Sequence, residues 1–359
     1  MRLSALIHEA ARNITSGTTR LTIFGCALAL VVGGLTLVDA LTIAQQVSLA
    51  DKFRQAGGAT MIITAQSGID GNACEDLTET LGVNAAGALR ESPQRITVST
   101  LPDAPLPLYE ITPGFLTVIS VPVPSSAGLF LSSDIAKSLA VDPGESIETD
   151  SGKTQVAATF PYPADGRRPG LGYAALSTAD SHKPFDECWA TAWPQITNLR
   201  ALLLTTVAPH PDADQGAERP RVSQLNGSLG ESPSGDEAFL DRTTRGAAPL
   251  TGLIALLLGY VAIRLRRLQL ASALHSGVKR LDLLTMQLVE ACVWSVPAVL
   301  VGLSAAATAT QLVPDGDQHA LFLSVLSGSL AGFVGAIIGT AVGTITTSEK
   351  HVFRYFKDR

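Results

Sequence analysis

Charge is scarce in this sequence. Of 359 residues only 16% are Asp, Glu, Lys or Arg, against 46% hydrophobic, and the mean hydropathy is +0.27. That balance excludes both a disordered chain and an ordinary soluble protein. Clusters of reactive side chains are lacking too: the six histidines and four cysteines are scattered, with no group at metal-ligand spacing. His8-Glu9-Ala10-Ala11 begins like a zincin helix, but Arg12 stands where the second histidine is needed. Ser151-Gly152-Lys153-Thr154 has the ending of a phosphate-binding loop, yet Ile147 occupies the place of its first glycine, so the segment reads as a hairpin turn. The nucleophile-elbow pattern G-x-S-x-G is absent. These absences predict a chain that is not an enzyme on its own and binds no metal or cofactor.

Charge is missing altogether from residues 21–38, 246–263, 291–314 and 318–348. Each stretch is long enough to cross the roughly 30 Å hydrocarbon core as a helix. The first reads as a retained anchor rather than a cleaved signal peptide, because more apolar helical sequence follows it without a convincing small-residue cleavage site. The expected fold class is therefore a membrane protein with four transmembrane α-helices plus an α+β domain outside the membrane. The expected segments are an amphipathic helix at 1–20, a first span at 21–44 continuing into a stalk, the α+β domain at 45–245 and a second span at 246–264. A short helix at 265–282, a third span at 283–310, a short loop at 311–320, a fourth span at 321–346 and a tail at 347–359 follow.

Basic residues outside the large domain fall only in three short segments: Arg2, Arg12 and Arg20; Arg264, Arg266, Arg267, Lys279 and Arg280; and Lys350, Arg354, Lys357 and Arg359. The positive-inside rule puts both termini and residues 265–282 in the cytoplasm, and the large domain outside. The domain itself holds 24 acidic and 14 basic residues between positions 43 and 245, which argues against nucleic acid as a partner. Cys74 and Cys188 are its two cysteines. In an oxidising compartment such a pair implies a disulfide, with two unrelated buried thiols as the alternative. Cys26 and Cys292 lie in spans, where a small apolar thiol needs no special role.

Within the domain, residues 60–64, 96–100, 106–111 and 201–207 read as strands, 75–81 and 134–140 as helices, and 147–160 as a hairpin turning at Asp150-Ser151-Gly152. Residues 208–237, rich in Pro, Asp, Gly and Ser, read as an irregular excursion. Gly328, Gly332, Gly335, Gly339 and Gly343 put three G-x-x-x-G spacings in the fourth span, a surface for close helix packing within the subunit or between two copies. Asp39 and Glu290 are acids near the outer and inner ends of spans, where a charge costs less than at the bilayer centre.

Three features together resemble the MacB/FtsX-type ABC transporter permeases. They are YEITPGFLTVISVPV at 109–123 followed by the strand, short helix and hairpin of 128–160; the connection RRLQLASALHSGVKRLDLLTMQLVE at 266–290; and the order of one span, a large domain, then three spans. Ala271, Gly277, Arg280 and Glu290 match the family's connection, whereas Gln269 stands where Glu is usual and His275 where Ala is usual. The resemblance implies a homodimeric permease whose coupling helix, carrying Gln269, Ala271, Gly277 and Arg280, docks on a cytoplasmic ATPase subunit that binds ATP and Mg. It also implies extrusion of a peptide, lipid-linked or toxic compound from the outer side of a bacterial plasma membrane, or signal relay to an external cell-wall hydrolase. Membrane lipid and an external peptide or protein are the remaining expected partners. Set apart from the resemblance, the same architecture suits a membrane receptor without energy coupling or a membrane-bound hydrolase, and the basic connection suits an anchor on anionic lipid.

Overall fold

The computed structural model describes residues 3–17, 19–122, 127–180, 182–208, 219–230, 241–311 and 318–348. Most of the connection expected at 311–320, of the segment 208–237 and of the tail at 347–359 lies outside the described residues. The chain divides into two compact units, a helical one formed by Met1–Leu49 with Asp236–Arg359, and a sheet domain formed by Ala50–Gly235.

Elements run in the order α1 (Leu3–Thr15), α2 (Leu21–Gln55), β1 (Thr60–Ile69), α3 (Gly71–Glu75), β2 (Val83–Val98), β3 (Leu101–Ile111), α4 (Pro113–Val118), β4 (Leu129–Ser132) and α5 (Ser133–Leu139). There follow β5 (Ser146–Thr149), β6 (Gly152–Phe160), β7 (Ala175–Thr178), β8 (Phe185–Ala192), α6 (Leu199–Leu204) and β9 (Arg221–Gln224). The chain closes with α7 (Ala247–Arg264), α8 (Arg267–His275), α9 (Arg280–Thr310) and α10 (Gln318–Ile345).

In the helical unit, α2, α7, α9 and α10 contain segments long and apolar enough to cross a membrane. Their buried face is built from small residues and a few large ones: Phe24, Leu28 and Val32 of α2 meet Ala255 of α7, Ala291, Trp294 and Ala298 of α9, and Ala336 of α10. Leucines and valines such as Leu253, Leu257, Leu300 and Val334 remain exposed on the outside of the unit, as hydrocarbon permits and water does not. The glycine row of α10 packs inside the subunit. A Cβ on Gly335 would lie 2.2 Å from the carbonyl oxygen of Gly252, and one on Gly339 2.0 Å from that of Leu256, both on α7. Gly332 faces Val32 and Thr251, Gly343 faces Ile263, and Gly328 faces Thr36 more loosely at 3.3 Å. Gly339→Leu is expected to force α7 and α10 apart and destabilise the unit by about 3 kcal/mol or more. Gly34→Leu, where a Cβ meets nothing within 4 Å, serves as the control in detergent unfolding, and equal stability of the two variants would contradict this packing.

In the sheet domain, nine strands among the described residues form one mixed sheet. Strands β9, β1, β8 and β2 run antiparallel in that order. Strand β2 then pairs along its second half with β3, and the sheet continues through β7, β4, β6 and β5 until Val98 of β2 meets Thr149 of β5, closing a ring of six strands. The period-2 alternation of β8 sends Cys188 and Ala190 to one face and Trp189 to the other. The first face packs with Leu77, Leu199 and Leu203, the second with Phe115, Leu116 and Phe160. Ring-interior residues such as Leu106, Leu131, Ile147 and Val156 form a third cluster. Cys74, in α3, and Cys188 are bonded, and both are fully buried.

Three sequence expectations change here. Residues 201–207 are not a strand: Leu199 and Leu203, one turn apart, point into the core from helix α6, and only Val207 makes an isolated bridge, to Ile69. The strand expected at 96–100 starts far earlier, at Val83, through Ala85-Ala86-Gly87-Ala88. Helix expected at 75–81 is replaced by α3 and a 3-10 turn at Asp76–Glu79.

Candidate functional site

The segment between the second and third spans forms α8, nine residues long. Leu270 and Leu274 turn inward and pack with Ile263 of α7 and Leu283 of α9, and Ala271 is likewise buried, while Gln269, Ser272 and His275 are exposed. The helix ends in a Schellman motif. Gly277 N–H returns to Leu274 O at 3.1 Å, Val278 N–H returns to Ala273 O at 3.1 Å, and Gly277 has φ +92°. The left-handed position explains the glycine. The small size of Ala271, expected to allow docking on another protein, instead serves packing within this chain, since the residue is fully buried. A Cβ on Gly277 would meet nothing within 4 Å, so its place in the turn, not a tight contact, requires it. Arg280 is the first residue of α9 and is exposed.

Arg266 departs from the basic surface expected of this segment. Its side chain is 12% exposed and its Nη1 donates to Glu290 Oε2 at 2.5 Å. Glu290 Oε1 accepts from Asn13 Nδ2 of α1 at 2.8 Å. One buried carboxylate thus ties three elements together: the N-terminal helix, the start of α8 and the third span. Gln287, one turn earlier on α9, offers its Oε1 to Arg266 at 3.4 Å. With Thr19, Thr340 and Trp294 these side chains line a small polar cavity, into which an isolated charge at membrane depth would not go without a partner.

Asp39, midway along α2, is arranged in the same way. Its Oδ1 accepts from Arg242 Nε at 3.3 Å, with both side chains about a tenth exposed. Sequence reasoning selected Asp39 and Glu290 but missed Arg242, Arg266, Gln287 and Asn13. The available signal was chemical: a carboxylate in a span demands a cation, and Arg242 and Arg266 flank the second span at its two ends.

The sheet domain holds a third buried carboxylate. Glu187, 9% exposed at the side chain, accepts from Arg168 Nη1 at 2.5 Å and from Trp189 Nε1 at 2.8 Å. Beside it Tyr162 donates its hydroxyl to the carbonyl of Arg168 at 2.6 Å. Burial pushes the Tyr162 phenol up to about 12, against the smaller opposing pull of Arg167 and Arg168. A raised phenol pKa means that the fold favours the neutral form. Its stabilising contribution is complete below the unfolded value near 10 and is lost as pH rises through about 12. In an absorbance titration of the tyrosines, Tyr162→Phe is expected to remove a step near pH 12; an unchanged high-pH step would show that Tyr162 ionises freely. No group of three or more His, Cys, Asp or Glu suited to a metal is found among the described residues.

No family model matches the chain, and no curated protein matches it. Among solved structures, it is similar to the periplasmic region of MacB from Actinobacillus actinomycetemcomitans, with 10% identity, 53% of this chain and 97% of that chain covered, and a TM-score of 0.35. It is also similar to a domain of a putative permease protein from Porphyromonas gingivalis, with 11% identity, 52% and 99% covered, and a TM-score of 0.33. Values this low leave function to be argued from the chain's own geometry.

Proposed function

We propose that this chain is the permease subunit of a MacB/FtsX-like ABC transporter, with ATP hydrolysed by a separate cytoplasmic subunit. The observation that carries the reading is the tie between α8 and α9. A short helix held between two long apolar helices presents Gln269, Ser272 and His275 outward, while Arg266 at its start is fastened to Glu290 well inside the next helix. A push on α8 from a docked partner therefore reaches both neighbouring spans, with little slack to absorb it. The order of one apolar helix, a large sheet domain and three further apolar helices supports the same reading.

On this reading the termini and α8 are cytoplasmic, the sheet domain is extracytoplasmic, and two copies work with two ATPase subunits. The protein sits in a bacterial plasma membrane and extrudes a peptide, lipid-linked or toxic compound, with no substrate passing through a catalytic site of its own. ATP and Mg bind to the partner.

The experiment is purification of the tagged full chain from its source membranes, with detection of a co-eluting ABC ATPase and of vanadate-sensitive ATP hydrolysis. Ser272→Trp, on the exposed face of α8, is expected to abolish co-elution and to lower hydrolysis about tenfold, the loss of about 1.4 kcal/mol of coupling. The chain itself should remain folded, because the side chain points away from the core. Co-elution of an ATPase with the Ser272→Trp variant at the wild-type level would refute α8 as the docking element. Absence of any ATPase from the wild-type preparation would refute the permease reading.

A further inference from the structure

Three side chains around one cavity of the helical unit carry buried polar atoms without a protein partner. They are Thr19 Oγ1 in the turn before α2, Gln287 Nε2 on α9 and Thr340 Oγ1 on α10. These residues are 6%, 1% and 2% exposed, and all three line the cavity that Arg266, Glu290 and Trp294 share. Other threonines of the same helix end satisfy themselves locally: Thr344 donates to Thr340 O at 2.8 Å and Thr347 to Gly343 O at 2.9 Å. Thr340 does not. Stranding three polar atoms in a bundle of apolar helices is costly, because hydrocarbon offers no replacement bond.

What fits between them follows from their chemistry. The Gln287 amide has one workable orientation, since its Oε1 accepts from Arg266 Nη1 at 3.4 Å and the reversed amide would set its NH2 against a guanidinium. Its Nε2 is therefore a donor that needs an acceptor. A cation in the cavity would meet that donor together with Arg266. An anion would meet Glu290, whose two oxygens already hold Asn13 and Arg266. A neutral group that both donates and accepts meets neither objection. Size narrows the choice further: the cavity leaves about 10 Å³ for the centre of a water-sized sphere, which is room for one water and nothing larger.

We propose that this cavity is the binding site of a single ordered water molecule. The water accepts from Gln287 Nε2 and exchanges hydrogen bonds with the hydroxyls of Thr19 and Thr340, which matches the two to four partners that buried waters have. It thereby bridges α9, α10 and the turn before α2, and through Gln287 it joins α10 to the Arg266–Glu290 pair. The inference concerns the helical unit alone and stands whether or not the chain is a permease.

The test begins with a crystal structure of the full chain grown from a lipidic phase, at a resolution that shows ordered water, with rubidium chloride soaked into a second crystal. A peak about 2.6–3.2 Å from Thr19 Oγ1, Gln287 Nε2 and Thr340 Oγ1 is expected, without anomalous signal from rubidium. An unfilled cavity, or a rubidium peak in it, overturns the proposal. Stability supplies the second arm, read from unfolding in mixed detergent micelles. Thr19→Val and Thr340→Val keep the side-chain shape and remove one hydroxyl each. With the water bound, each is expected to lower the folded-to-unfolded ratio about fivefold. The double variant should lose clearly less than the product of about 25-fold, since both hydroxyls act through the same water and share no direct bond. Thr340→Ser, which keeps the hydroxyl, is expected to retain the water peak. Without the water, each valine would merely remove a stranded hydroxyl, so unchanged or raised stability in both single variants overturns the proposal, as does a full 25-fold loss in the double variant.

Discussion

Arg266→Met is expected to destabilise the helical unit by about 3–5 kcal/mol, because it leaves the Glu290 carboxylate buried with Asn13 as its remaining strong donor. Glu290→Met strands the guanidinium in the same cavity and is expected to cost a similar amount. The double variant removes both charges. Replacing a buried pair by apolar side chains of similar volume is often neutral, so most of the lost stability should return. Unfolding in mixed detergent micelles, followed by the fluorescence of Trp294, which lines the same cavity, measures all three. If the losses in the single variants simply add in the double variant, the two residues do not interact and the latch between α8 and α9 does not exist. The double variant has a further use: with stability restored, any deficit in ATPase coupling belongs to the missing tie and not to unfolding.

The second large effect is expected from the disulfide. Cys74 and Cys188 stand 114 residues apart in the chain, and freeing a loop of that length costs roughly 4–5 kcal/mol in the chain-entropy model. The Cys74→Ala/Cys188→Ala variant should therefore unfold at markedly lower denaturant, followed by Trp189, the immediate neighbour of Cys188 in the core. Because both sulfurs are fully buried, alkylation of the native protein should label neither cysteine until reductant is combined with denaturant. Labelling of either position in the native, unreduced protein would contradict the bond.

How far the sequence carries depends on the range of the interactions concerned. The four long apolar helices are legible from the charge-free stretches alone, since crossing hydrocarbon requires a continuous run with its backbone bonds satisfied internally. The hairpin at Asp150-Ser151 is legible for a similar reason: Thr149 pairs with Gly152, and two turn residues set that register locally. Ala85-Ala86-Gly87-Ala88 had no such local signal. Alanine and glycine are poor strand formers, and the segment is a strand because α4 lies against it so closely that a Cβ on Gly87 would sit 2.1 Å from Phe115 N. Residues 199–204 posed the converse case, where a leucine-rich run before Thr205-Thr206-Val207 suited either period until the core selected the helix.

The candidate site divides along the same line. Sequence alone determined that Asp39 and Glu290 are unusual, because burying a carboxylate near hydrocarbon is costly wherever the chain goes. It determined equally that α10 has a small-residue surface. Only the tertiary structure decided that each acid has its own arginine, 203 and 24 residues distant, that the glycine row meets α7 of the same chain, and that Ala271 faces inward while Ser272 faces out. The physical reason is common to all three: composition and periodicity fix what a segment must bury, but which partner buries it depends on distances between segments that no local pattern encodes.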